Sequence, residues 1–199
     1  MESQLTILLP VAAVWLAAGV VADGLPRLRT TCLLRRRTGW LLVLALTGVA
    51  LTAAVLGAGL LSAGTAPVDS AAAGLTLAAG PALVATVCSL RRIRRLRAGA
   101  GAFVSAPGTP APHGLRAAAA HPLVGLPLQV TALATVPAVI EAIGTDLGAD
   151  PGVTGPAITV GALAVIAIGV RHALRHSRFA ERAQPSVPRS ARTAGALHV

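Results

Sequence analysis

His172 and His176 stand four residues apart in a stretch of helical character, so both imidazoles fall on one face. That is the spacing of a metal-binding pair, as in HExxH, but the glutamate of that motif is missing and no third ligand stands in register. Zinc sites use three or four ligands, so the expectation is two solvated histidines on a basic helix. His113, His121 and His198 form no spacing pattern with them. No histidine falls in the middle of an apolar run, which argues against buried axial haem ligands. No metal or cofactor is expected.

Gln129 and Glu141 are the polar residues of most interest inside apolar runs. Gln129 has Thr131 and Thr135 nearby and is flanked by Pro127 and Pro137. Such a group can line a substrate path in a broken helix. The commoner use is hydrogen bonding to a neighbouring helix beside a proline kink, worth ~0.6–2 kcal/mol, and this is the preferred reading. Glu141 lies near the end of its run, where a carboxylate reaches headgroups and water, so an interfacial position is expected rather than a proton relay. Asp23 sits at a boundary beside Arg27, where ion pairing accounts for it.

The densest charge is the run Arg91, Arg92, Arg94, Arg95 and Arg97. Beside an anionic leaflet each arginine contributes ~1 kcal/mol, so this cluster is expected to grip acidic headgroups. A net charge of +10 would suggest nucleic acid in a soluble chain. Aromatic content of 2% leaves little for base stacking, and no nucleic-acid partner is expected. All 17 positive charges are arginine, and lysine, asparagine and tyrosine are absent. Those three share AT-rich codons, so a high-GC bacterial genome explains the bias better than phosphate chemistry. The chain has no GxxxxGK[ST] phosphate loop, GxSxG elbow or HExxH motif, and is expected not to be an enzyme.

The elements that carry these residues follow from composition. The 199 residues are 54% hydrophobic and 12% charged, against about 25% charged in a soluble domain. Crossing a ~30 Å hydrocarbon core takes roughly 20 mostly apolar residues in a helix. Five runs qualify, at about 5–22, 40–61, 71–90, 123–143 and 153–170. None alternates with period two, so a barrel is not expected. The fold class is an all-α membrane protein, a bundle of five transmembrane helices. The first run, with Pro10, and the third, with Pro81, are the least regular.

With five spans and the amino terminus outside, every arginine falls on the inner side, and Glu2, Asp69, Glu141, Asp146 and Asp150 fall outside. The positive-inside rule asks only for a bias; here the separation is complete, which gives an N-out, C-in topology. The first run has its positive charges after the apolar core, the order of a retained anchor and not of a signal peptide.

The membrane domain covers 1–183, and 184–199 is expected to be a disordered basic cytoplasmic tail. The Ala-, Gly- and Pro-rich stretch from Ala98 to Pro122 reads as a flexible connector. Spans two and three, and spans four and five, form two hairpins of similar length and orientation, each followed by arginines. A tandem repeat builds some transport folds, but residue identity between the hairpins is poor and coincidence is preferred. Small residues four apart, Ala53 with Gly57, Gly74 with Ala78 and Ala157 with Gly161, permit close helix approach. Cys32 and Cys88 form no CxxC pair and are expected to be free thiols.

The functional expectation is a non-enzymatic accessory or assembly component of a bacterial envelope system, in the cytoplasmic membrane of a high-GC bacterium. It would contact anionic headgroups at its cytoplasmic face and pack against a membrane-protein partner or a second copy of itself. The alternative is a small transporter, or the membrane subunit of one, centred on Gln129.

Overall fold

A computed structural model describes residues 2–62, 64, 66–103, 108–144 and 151–183, the last from 154 onward with side chains. The disordered tail expected over 184–199, and the acidic residues Asp146 and Asp150, lie outside the described residues. Among the described residues there are seven α-helices: α1 Glu2–Gly24, α2 Thr31–Leu61, α3 Pro67–Val84, α4 Leu90–Ala102, α5 His113–Ala119, α6 Pro122–Ala142 and α7 Pro151–Ala183. Among the described residues there is no strand, only an isolated bridge between Thr30 and Pro110. Five helical stretches among those residues are long and apolar enough to cross a membrane, at Glu2–Arg27, Thr31–Leu61, Pro67–Ala102, His113–Ala142 and Thr154–Ala183.

These stretches run past the apolar windows because helical hydrogen bonding does not stop where apolarity does. α2 already contains Arg35, Arg36 and Arg37 in its first turns, ahead of the apolar run at Trp40. α3 starts with Pro67 at its first position, where a missing N–H costs nothing. Its Asp69 carboxylate accepts the Ala66 N–H at 2.8 Å and also the Ser62 hydroxyl, holding the turn into the helix. Pro81 cannot donate within α3. One turn later the ladder widens into a π turn, Ala85–Ser89, where the Leu90 N–H reaches back to the Ala85 carbonyl. The rod then continues as α4 through the arginine run, because Leu90, Ile93, Leu96 and Ala100 are buried on one side.

The connector expected to be flexible is largely built. The Thr31 N–H donates to the Thr109 carbonyl at 3.0 Å, and the Ala111 N–H donates to the Arg29 carbonyl at 2.6 Å. This strap ties the segment before α5 to the start of α2. α6 then begins with the His121 side chain accepting the Leu123 N–H at 3.2 Å and Pro122 at the first position.

In the bundle, α6 packs chiefly against α1 and α3, while α2 packs against α1, α3 and α4. The crossings depend on missing side chains. A β-carbon on Gly48 would lie 2.9 Å from the indole of Trp15, which is fully buried and donates its Nε1–H to Thr52 at 3.0 Å. A β-carbon on Gly74 would lie 2.8 Å from that of Ala138, and Gly59 meets Ala72 in the same way. Of the small residues singled out in the sequence, Gly74 therefore serves the α3–α6 contact, and Ala78 is buried. Gly57 and Gly161 have open space around them.

α7 is different. Of the most apolar stretch of its span only 6% is buried, against 28% to 44% in the other four. It leans on α6 and α5, with Ile158, Leu163 and Ile166 each at least 60% exposed. The two sequence hairpins are thus packed unequally: α2 and α3 lie together, while α7 stands away from the bundle over its apolar length.

Candidate functional site

The arginine-rich ends of the helices meet at one end of the bundle. The strap from Thr109 to Ala111 joins the start of α2, and the Arg116 Nε–H on α5 donates to the Pro26 carbonyl after α1 at 3.3 Å. Into this end α7 sends a row of polar side chains, and α1 and α6 receive them.

Asp23, on the last turn of α1, is the hub. Its carboxylate accepts from Arg175 at 2.7 Å and from Arg171, with Arg27 at 3.6 Å. The Asp23 and Arg175 side chains are each 18% exposed. Arg175 also donates to the Asp23 backbone carbonyl at 3.1 Å, a two-point clamp on the end of α1. The Arg27 contact is long and largely solvated, the kind of pair that contributes little.

One turn along, the His172 Nε2 lies 3.0 Å from the Gln129 Oε1 on α6. The Gln129 amide nitrogen donates to the Gly19 carbonyl on α1 at 3.2 Å. Three helices are bonded through one amide. Small residues make this possible: a β-carbon on Gly125 would sit 2.6 Å from the His172 ring, and one on Gly19 would sit 3.1 Å from Gln129 Cγ. A further turn along α7, the His176 ring lies 4.9 Å from that of His121. Its Nδ1 is buried with no hydrogen-bond partner among the described residues. Arg116 and Arg182 both lie over the Phe179 ring, at 5.1 and 6.0 Å.

The two histidines are therefore not the solvated pair expected from the sequence. His172 is 5% exposed and His176 is half-buried, because α5 and α6 cover that side of α7. Glu141 is exposed at the far end of α6 and takes no part in the seam. On α4, Arg91, Arg94, Arg95 and Arg97 are exposed, with Arg92 half-buried, while the opposite, apolar side of the helix is buried. The structure thus brings Gln129 into the seam and leaves Glu141 and the α4 run outside it.

A second contact was not foreseen. Buried Ser89, in the π turn, donates its hydroxyl to the Leu123 carbonyl at 2.7 Å. In a regular helix that carbonyl would accept the N–H of the residue four further on, which is Pro127 and has none. Ser89 supplies the missing hydrogen bond. Nearby, Thr131 returns its hydroxyl to the Pro127 carbonyl at 2.7 Å.

No family model matches this sequence, and no curated protein or solved structure does either. Among the described residues, no three of His, Cys, Asp or Glu gather as a metal-ligand group. Cys32 is exposed and Cys88 half-buried, and neither is in a disulfide. Chemically, the seam is a set of hydrogen bonds and ion pairs that fixes α7 against α1 and α6 at the arginine-rich end, with His176 Nδ1 left unpaired among the described residues.

Proposed function

We propose that the protein is an integral component of a bacterial cytoplasmic membrane, amino terminus outside and carboxyl terminus in the cytoplasm. In this reading it is a non-enzymatic accessory or assembly subunit, and the free length of α7 is where a partner membrane protein or a second copy packs. The observation that carries the reading is the unequal burial of the spans. Four helices cover one another, while α7 is anchored by its polar end and left bare along its apolar one. Lipid can cover such a face, but without a hydrophobic drive between helices in a bilayer, a second helix gains by packing and close approach. The orientation draws support from the arginines gathered at one end of the bundle. The transporter alternative draws less support, since the Gln129 amide is already bonded at both of its polar atoms.

A photo-crosslinking side chain placed at Leu163 or Ile166, with Leu77 on α3 as comparison, tests this in intact membranes. All three positions are exposed. A discrete protein adduct, from a partner or from a second copy, is expected from the α7 positions and not from Leu77. Lipid adducts alone at Leu163 and Ile166 would overturn the assembly reading.

A further inference from the structure

Between α1, α6 and α7 lies an open cleft of about 680 Å³. Leu16, Val20 and Val136 line its apolar wall, and Arg27, Arg37 and Arg171 stand at its arginine-rich end. Asp23 is the carboxylate on its lining, and Arg171 and Arg175 already hold that group. Arg37 is exposed and pairs with no carboxylate among the described residues, and the Arg27 side chain is 69% exposed. The cleft therefore offers unneutralised positive charge at one end and hydrocarbon surface for the rest of its length.

The dimensions match one kind of ligand. From Leu16 to Arg27 the chain rises roughly 16 Å at helical pitch, about half of a ~30 Å hydrocarbon core. A molecule with an anionic head at the arginines and an apolar tail running one leaflet deep fits both the charge and the length. A soluble anion would have no use for the apolar wall.

We infer that this cleft holds an anionic phospholipid of the inner leaflet, its phosphate between Arg27 and Arg37 and an acyl chain against Leu16, Val20 and Val136. The inference rests on membrane insertion with the arginine end inside, and not on any protein partner. The bound lipid closes the side of the seam where α1 and α7 part. It is a defined site, separate from the diffuse charge of the α4 arginine run.

The test uses the full chain in nanodiscs of phosphatidylcholine and phosphatidylglycerol, transferred to mild detergent, with native mass spectrometry of the lipid retained. Phosphatidylglycerol is expected to stay bound in preference to phosphatidylcholine. The double variant Arg27→Gln/Arg37→Gln is expected to lower that retention about ten-fold, the scale set by one to two arginines at an anionic surface. Val136→Trp fills the apolar wall without touching a charge, and is expected to lower it as well. Arg91→Gln/Arg94→Gln on α4 is expected to leave it unchanged. Equal retention of the two lipids, equal loss from the α4 variant, or full retention by Val136→Trp would each overturn the cleft as a lipid site. A chain released from membranes by an alkaline wash would overturn the membrane reading itself, a separate and earlier failure.

Discussion

The side chains of Gln129 on α6 and His172 on α7 lie 3.0 Å apart, and through the other end of the same amide they reach the Gly19 carbonyl of α1. This pair thus helps to set the register of α7 against α1 and α6. Around it, Asp23 supplies the charged anchor and Gly125 the space.

Gln129→Leu removes both bonds of the amide. A loss of about 0.5–2 kcal/mol is expected, the range for interhelical hydrogen bonds in membrane proteins. Thermal unfolding in detergent measures it. His172→Leu added to Gln129→Leu should cost less than the two single changes combined, and strict additivity would show that the pair is not coupled.

Gly125→Ala places a methyl group 2.6 Å from the His172 ring. The ring must move, at a cost of about 1–3 kcal/mol for overpacking. Hydrogen exchange over residues 171–178 should quicken in this variant. His172→Ala in the same chain should relieve the clash and recover part of the lost stability, whereas no recovery would place the strain elsewhere.

Ser89→Ala leaves the Leu123 carbonyl without a donor and is expected to cost about 1–2 kcal/mol. Pro127→Ala restores a backbone N–H at the position that carbonyl would use in a regular helix. In the Pro127→Ala background the cost of Ser89→Ala should fall by half or more. An unchanged cost would mean that Ser89 stabilises the fold by some other route.

Much of this architecture was legible in the sequence, and for a simple reason. A run such as Trp40 to Leu61 is apolar on every face, so its helical length follows from composition alone. The arginines mark one set of helix ends, and the structure does draw those ends together. Helix limits were less legible, since the α4 run buries Ile93 and Leu96 while keeping its arginines outward, and so stays helical where the apolar window ends. The strap and α5 were missed because Ala, Gly and Pro describe a loop and a short helix equally well. The seam was hidden for a different reason. The burial of His172 depends on a glycine in α6, and the role of Ser89 depends on a proline in α6 that cannot donate. Pro127 was a usable signal, because a proline inside a helix always leaves a carbonyl to be served.

Asp23→Asn removes the charge that Arg171 and Arg175 share. With the Asp23 and Arg175 side chains both mostly covered, a loss of about 1–3 kcal/mol is expected for hydrogen bonds to a charged group. Arg27→Gln should cost little, because its contact is long and exposed. Chemical denaturation of the two variants side by side checks the ranking, and an Arg27→Gln loss as large as that of Asp23→Asn would contradict it.

Single-cysteine labelling in intact cells distinguishes a five-span chain with its arginine end in the cytoplasm from any other topology. In a chain with Cys32 and Cys88 replaced by serine, Ser3→Cys and Ser70→Cys mark one end of the bundle, and Gly114→Cys and Ser177→Cys mark the other; all four positions are exposed. A membrane-impermeant maleimide is expected to label the first two in intact cells and the last two only after permeabilisation. Labelling of Ser177→Cys in intact cells, or protection of Ser3→Cys, would rule out this topology.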